Sequence, residues 1–410
     1  MSDVPRRIAT FVAGGPAAGI NGVIKGIVQA ADNLDIRVDG YLDGAHGLYH
    51  RKVVSLTRRM VENIPLLGGS ILGTSRFFLE SDDHIERVVA NLREECVDGV
   101  ISIGGEGTLQ LSDRLRRHGV RAVHVPKTID NDIAGVHQTF GFDTAVHEAS
   151  RALSAIKLDA ETCGLWFVVE IMGRYTGHLA LEAGIASGCT RVLIPEAGPI
   201  QVAELQDLIC SRAAVGLDWG VILVAESAHL GEGFITEHGR LGGIARVLAE
   251  HLSAPCTAVP EPPKLRHASL GYVLRCAQPT GYDRAYAAKL GLAAVQLMVE
   301  SGSDGAVVGI QGESLKAIPM AEVAGVLKRV DLDGIHYRAM RAGEEYETAR
   351  REILAHDKAH AISAERLRWL SQHADTRTME QIAMRLGVEI ETLIEVVGDL
   401  ARENSATTVP

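Results

Sequence analysis

Short apolar runs rich in β-branched residues alternate with amphipathic stretches along most of this chain, and several of the runs end in glycine-rich or polar turns. Strands are expected at residues 8–13, 99–103, 122–125, 165–170, 192–194, 221–225 and 306–310, with helices over 82–95, 144–158 and 203–214. Strand–helix–strand alternation produces parallel sheets covered by helices, so the chain is expected to be an α/β protein. In open sheets of this kind, ligands bind beyond the carboxyl ends of the strands. The distinctive loops lie there, directly after Ala13, Ile103, Val125 and Glu170.

Two of those loops have the composition of anion sites. Gly14-Gly15-Pro16-Ala17-Ala18-Gly19-Ile20-Asn21 opens a helix that runs towards Ala31, and Gly104-Gly105-Glu106-Gly107-Thr108 follows the next strong strand. A tight glycine turn at a helix N-terminus leaves backbone N–H groups free to face phosphate oxygens. Neither spacing is the GxGxxG of a dinucleotide fold or the GxxxxGK[ST] of a P-loop, so neither of those readings applies. Further on stands Pro126-Lys127-Thr128-Ile129-Asp130-Asn131-Asp132. Read alone, Asp-Asn-Asp is a turn that hydrogen-bonds its own backbone. After two phosphate-type loops, its carboxylates can instead divide the work of phosphoryl transfer to an alcohol, one holding a metal and the other taking the hydroxyl proton.

Bulk properties narrow the setting. With 410 residues there is room for two core-bearing domains and an extension, and 46% apolar with only 4% aromatic residues suits an aliphatic core. A net charge of −11 opposes nucleic-acid or anionic-membrane binding and requires that cations be gathered locally around any phosphate. Cys96, Cys163, Cys189, Cys210, Cys256 and Cys276 show no CxxC spacing, and buried free thiols are expected. No apolar leader follows Met1-Ser2-Asp3 and no run reaches membrane-spanning length, so a soluble cytoplasmic protein is expected. Beyond about Arg338 the pattern turns helical, over 339–356, 364–372 and 379–402. Residues 382–393 have the spacing of a helix-turn-helix, but Glu389, Glu391, Glu395 and Asp399 would be repelled by DNA phosphates, so a helical hairpin docked on protein is preferred.

Six segments carry a family resemblance: GGPAAGIN, GTSRF (73–77), GGEGT, PKTIDND, EIMGRYTG (170–177) and LGYVLRCAQPTGYDR (270–284). Together, and in this order over residues 8–325, they resemble the phosphofructokinase family. The resemblance implies two doubly wound parallel-sheet domains with a cleft between them, plus the C-terminal helical extension. The nucleotide-binding domain would comprise residues 1–142 with roughly 275–325 returning to it, the sugar-phosphate domain 143–274 and the extension 339–410. It further implies a homo-oligomer, dimer or tetramer, using ATP and Mg²⁺ to phosphorylate a ketose phosphate, fructose 6-phosphate above all. NAD and lipid kinases share a GGEGT-like loop, but PKTIDND and the MGR segment count against them.

Site residues follow from the same resemblance, position by position. Asp130 would be the general base, with Thr128 and Arg174 beside it in catalysis. Gly15, Arg76, Phe77, Gly104, Gly105, Glu106, Gly107, Thr108 and Lys127 would hold the nucleotide, and Glu106 and Asp132 the Mg²⁺ ion. The acceptor would meet Thr128, Ile129, Asp130, Met172, Gly173, Arg174, Glu226, Arg266, Tyr272 and Arg275. Family members that use pyrophosphate carry aspartate at the position of Gly107, so Gly107 favours ATP. Lys127 is shared by pyrophosphate enzymes and some ATP enzymes, which keeps pyrophosphate as an alternative donor. Glu106 replaces the usual aspartate, Leu165 a phosphate-binding arginine, Tyr272 a histidine and Cys276-Ala277 two glycines. These departures leave open a catalytically weak regulatory homologue. Lys25 and Gln29 on the first helix offer little to a regulatory nucleotide.

Overall fold

A computed structural model describes residues 4–75, 77, 79, 81–214, 217–231, 233–237, 240–253, 263–300, 305–344 and 394. The chain forms two compact units, one of Met1–Arg151, Met172–Ala183 and Leu270–Val330, the other of Ala152–Ile171, Gly184–Ser269 and Asp331–Pro410.

The first unit is built on a seven-stranded sheet. Its spatial order is Ser314–Pro319, Ala306–Gln311, Ala122–Pro126, Gly99–Gly104, Arg7–Val12, Arg37–Tyr41 and Val53–Leu56. The five inner strands run parallel, and the two edge strands are antiparallel to their neighbours. The central strands are almost wholly buried on both faces, which explains their mostly apolar sequences, each broken once inside by a buried polar residue, Thr10, Ser102 or His124. From Arg7–Val12 the chain winds first to one side and then to the other. The strand order therefore reverses between Arg7–Val12 and Gly99–Gly104, where the two glycine loops emerge side by side. One face is covered by helix Ile20–Asp32 packed on helix Gly281–Glu300. Their backbones touch at Gly26 and Gly291, where a Cβ would stand 2.6 Å and 2.4 Å from a facing carbonyl oxygen.

The second unit holds a four-stranded parallel sheet in the order Leu265–Ser269, Trp166–Ile171, Gly220–Ala225 and Arg191–Leu193. Trp166, Val168, Ile222 and Val224 pack there against Leu208 and Leu248. Glu170, at the end of its strand, accepts N–H bonds from Gly243 (2.7 Å) and Ala245 (3.4 Å). It thereby caps helix Ile244–Leu252, whose own cap residue Gly243 has no side chain. Glu344 accepts from the Val192 N–H and the Arg191 guanidinium, each at 2.8 Å, tying the start of the extension to the edge strand.

The α/β architecture with doubly wound parallel sheets agrees with the sequence pattern. The helix expected over 144–158 is longer, Phe142–Cys163. The extension beyond residue 344, residue 394 excepted, lies outside the described residues, as do the expected hairpin and helix-turn-helix spacing. The cysteine reading needs correction. Among the described residues, Cys96, Cys163 and Cys276 are exposed free thiols, Cys189 is a buried one, and Cys210 is disulfide-bonded. Cys96 and Cys163 end helices at the surface, and Cys276 sits in an exposed turn, so their apolar neighbours in sequence do not enclose them. Among the described residues, no helix is long and apolar enough to cross a membrane.

Candidate active site

Lys127 joins the two glycine loops. It follows strand Ala122–Pro126, is buried, and its Nζ donates to the carbonyls of Ala13 (3.2 Å) and Gly15. Its own N–H donates to the Gly104 carbonyl at 2.8 Å. Burial lowers its pKa to about 8, against the opposing pull of Asp130 and Asp132. A cation anchored by two carbonyls at this switch point would meet an anion with little rotamer freedom left to lose.

The second loop shows why glycine is required. A Cβ on Gly104 would stand 2.2 Å from the Thr108 hydroxyl oxygen, whereas one on Gly107 would meet nothing within 4 Å. Helix Glu106–Arg117 begins here with no side-chain cap, so its first N–H groups remain available to an anion. Thr108 is buried beneath the turn. The first loop approaches from the other side, where a Cβ on Gly15 would be 3.3 Å from the Arg275 guanidinium carbon. Thr74 of the GTSRF segment donates to the Gly14 carbonyl at 2.7 Å. Phe77 meets His46 edge-on and Tyr49 at a tilt, at 5.3 and 5.8 Å between centroids. Arg76 lies outside the described residues.

The carboxylates occupy a tight turn. Asp130 is half-buried, and its N–H donates to the Thr128 hydroxyl at 3.0 Å. Thr128 and Ile129 are buried, and Asn131 takes the left-handed conformation at φ 54°. Burial raises the Asp130 pKa, while Thr128 and the cations Arg174, Arg275 and Lys127 pull it back. Asp132 is only 3% exposed. Burial, with Asp130 and Glu106 adding repulsion, pushes its pKa up to about 7. Its Oδ1 and the Oε2 of Glu106 are both buried without a hydrogen-bond partner. The other Glu106 oxygen accepts from the Gly325 N–H and from Gln110 at 3.0 Å. Two unpartnered acidic oxygens on neighbouring carboxylates suit a small divalent cation that needs only one or two protein ligands and keeps its waters.

The arginines complete this unit. Gly173 and Arg174 take positive φ angles of 152° and 54°, and the Thr176 hydroxyl bonds the carbonyls of Gly173 (3.3 Å) and Asp130 (3.4 Å). That tie fixes the Met172-Gly173-Arg174 turn against the Asp130 turn. Non-glycine residues in the left-handed region concentrate at functional sites, and both Asn131 and Arg174 are here. Arg275 lies 4.9 Å over the Tyr272 ring, on a turn whose Tyr272 is exposed. Glu226 and Arg266 belong to the second unit. Glu226 directly follows strand Gly220–Ala225, and Arg266 is exposed on strand Leu265–Ser269.

Two residues that sequence reasoning did not single out support this site. Asp283 is fully buried and accepts from the N–H groups of Gly141 (3.0 Å) and Thr144 (2.8 Å), which fixes the chain just after the Asp130 turn. Lys328 donates to Asn131 and His137. Nothing local marked Lys328.

Glycine loops at a switch point, a buried lysine, paired aspartates and convergent arginines define a phosphoryl-transfer protein. The phosphofructokinase family profile matches residues 7–298, and the chain belongs to that family. It is 37% identical over 341 residues to an ATP-dependent 6-phosphofructokinase of Corynebacterium efficiens, covering 80% of this chain and 96% of that protein. It is 34% identical to a pyrophosphate–fructose 6-phosphate 1-phosphotransferase of Amycolatopsis methanolica, covering 79% of this chain and 96% of that one. Phosphofructokinase from Pichia pastoris in the T-state superposes with a TM-score of 0.69 at 23% identity, over 86% of this chain. This chain spans 38% of the yeast chain's length.

Proposed function

We propose that this protein transfers the γ-phosphoryl group of ATP to the 1-hydroxyl of fructose 6-phosphate, with Asp130 as general base. The observation that carries this reading is the Asp130–Asp132 turn set beside the Lys127-anchored glycine loops. Asp130 takes the proton of the acceptor hydroxyl as its oxygen bonds to the γ-phosphorus, and the bond to the bridging oxygen breaks to release ADP. Arg174, with Thr128, orients the reacting groups and offsets their charge. Glu106 and Asp132 would hold Mg²⁺, which would neutralise charge on the nucleotide phosphates. Gly15, Gly104, Gly105, Gly107, Thr108 and Lys127 take the phosphates. Arg76 and Phe77, with the GTSRF segment, complete the nucleotide side. Thr128, Ile129, Asp130, Met172, Gly173, Arg174, Glu226, Arg266, Tyr272 and Arg275 receive the sugar phosphate. The enzyme works as a cytoplasmic homo-oligomer.

A second reading keeps the site and changes the donor to pyrophosphate, favoured by the Amycolatopsis relative and by Lys127. The open space at Gly107 supports ATP. The test crosses ATP and pyrophosphate with fructose 6-phosphate and sedoheptulose 7-phosphate, with the product's phosphate position read by NMR. Turnover with ATP and fructose 6-phosphate supports the proposal. Turnover with pyrophosphate alone overturns the donor, and no turnover with any pair overturns the activity.

A further inference from the structure

Lys328 reaches the Asp130-Asn131-Asp132 turn from almost 200 residues further along the chain. Its backbone N–H donates to the Asp132 carbonyl at 2.9 Å, beside an antiparallel bridge between Ile133 and Leu327. Its Nζ donates to Asn131 Oδ1 at 3.3 Å and to the His137 carbonyl at 2.7 Å. Asn131 Oδ1 also accepts the Thr139 N–H at 3.1 Å. The central residue of the turn is thus left-handed and held by its side chain from two directions, with aspartates on both sides of it. Swinging Asn131 away would move both carboxylates, because they are its immediate neighbours. The same lysine lines a surface pocket of about 330 Å³, together with Gly135, Val136, His137, Lys316 and Ile318 among others.

We propose that Lys328 is a positioning residue for phosphoryl transfer: its ammonium clamps Asn131 and thereby sets both Asp130 and the metal-side carboxylate Asp132. Its Nζ hydrogen-bonds Asn131 and the His137 carbonyl rather than either aspartate, so it acts by holding the turn and by its charge near Asp132. Outer partners that orient a metal ligand cost about 10- to 100-fold in metal affinity or activity when removed. The inference rests on the assignment of Asp132 to the metal.

The test uses the full chain and Mn²⁺ as a spectroscopic stand-in for Mg²⁺, with free Mn²⁺ counted by EPR in the presence of ATP. Lys328→Met should weaken Mn²⁺ binding and lower kcat by about 10-fold or more, while Lys328→Arg keeps most of both. Lys328→Ala should recover activity saturably with n-propylammonium, which the pocket admits to the vacated place. Asp132→Asn is measured alongside. If it leaves Mn²⁺ binding unchanged, the metal assignment itself has failed. If it abolishes binding while a folded Lys328→Met protein matches the parent in Mn²⁺ affinity and kcat, the clamp is overturned. Equal losses in the Met and Arg variants, with a lowered Tm and no amine rescue, also overturn it, since the lysine would then serve only the fold.

Discussion

Replacing Gly107 with aspartate should leave the fold intact and weaken ATP binding by about 10- to 150-fold. The position is exposed, its backbone is outside the left-handed region, and a Cβ there meets no atom within 4 Å. It is also the second residue of helix Glu106–Arg117, where an acid is favoured by the helix dipole, so stability should not fall. The carboxylate would stand beside the nucleotide phosphates. At about 5 Å and an effective dielectric of about 20, a pair of like unit charges repels by roughly 3 kcal/mol. Exposure and counterions about halve that figure, giving about 1.5 kcal/mol at the lower limit. Titration calorimetry with ATP, on parent and variant at two ionic strengths, reads the effect directly. The penalty should shrink at high salt. A variant with unchanged Tm and an ATP Kd within about twofold of the parent would refute the reasoning.

Other outcomes follow from the same geometry. Glu106→Ala should raise the Mg²⁺ concentration needed for half-maximal rate, and Glu106→Asp should leave the rate equal or higher; a metal titration of both variants checks this. At low Mg²⁺ the rate should fall below a pH near 7, as Asp132 protonates, and above a pH near 8, as Lys127 and Lys328 lose their protons, so the pH profile is bell-shaped. Saturating metal should move the acid limb lower, because a cation favours the ionised carboxylate. Asp132 binds its proton more tightly folded than unfolded, so the metal-free protein loses stability as pH rises from about 4 to 7. Asp132→Asn should therefore raise the metal-free Tm at pH 8 and change it little at pH 4. Leu165→Arg should tighten fructose 6-phosphate by up to about 10- to 150-fold if it restores a charge-assisted hydrogen bond, as equilibrium binding would show.

Much of the fold was legible because buried parallel strands announce themselves as mostly apolar runs that end near glycine or proline. Strands Arg7–Val12, Gly99–Gly104 and Ala122–Pro126 fall within a residue or so of their expected bounds. The edge strands Val53–Leu56 and Ser314–Pro319 are largely exposed, and their apolar residues follow no continuous run. Strand Leu265–Ser269 has the same exposed character. Helix Gly281–Glu300 was not anticipated, since its small residues Ala287, Gly291 and Ala294 mark close helix packing rather than an amphipathic stripe. Carboxylates and glycines of the site stood out because they cluster locally. Asp283 and Lys328 act across 139 and 197 residues, and such partnerships have no signature in local spacing.

The central claim is that Asp130 is the base for phosphoryl transfer. Its most direct measurement is kcat of Asp130→Asn with ATP and fructose 6-phosphate, paired with the variant's ATP Kd. The amide keeps the shape of the turn and cannot accept the hydroxyl proton. A fall in kcat of about 100-fold or more, with ATP Kd nearly unchanged, is the expected result. A folded variant that retains more than about a tenth of the parent's kcat would contradict a base role for Asp130.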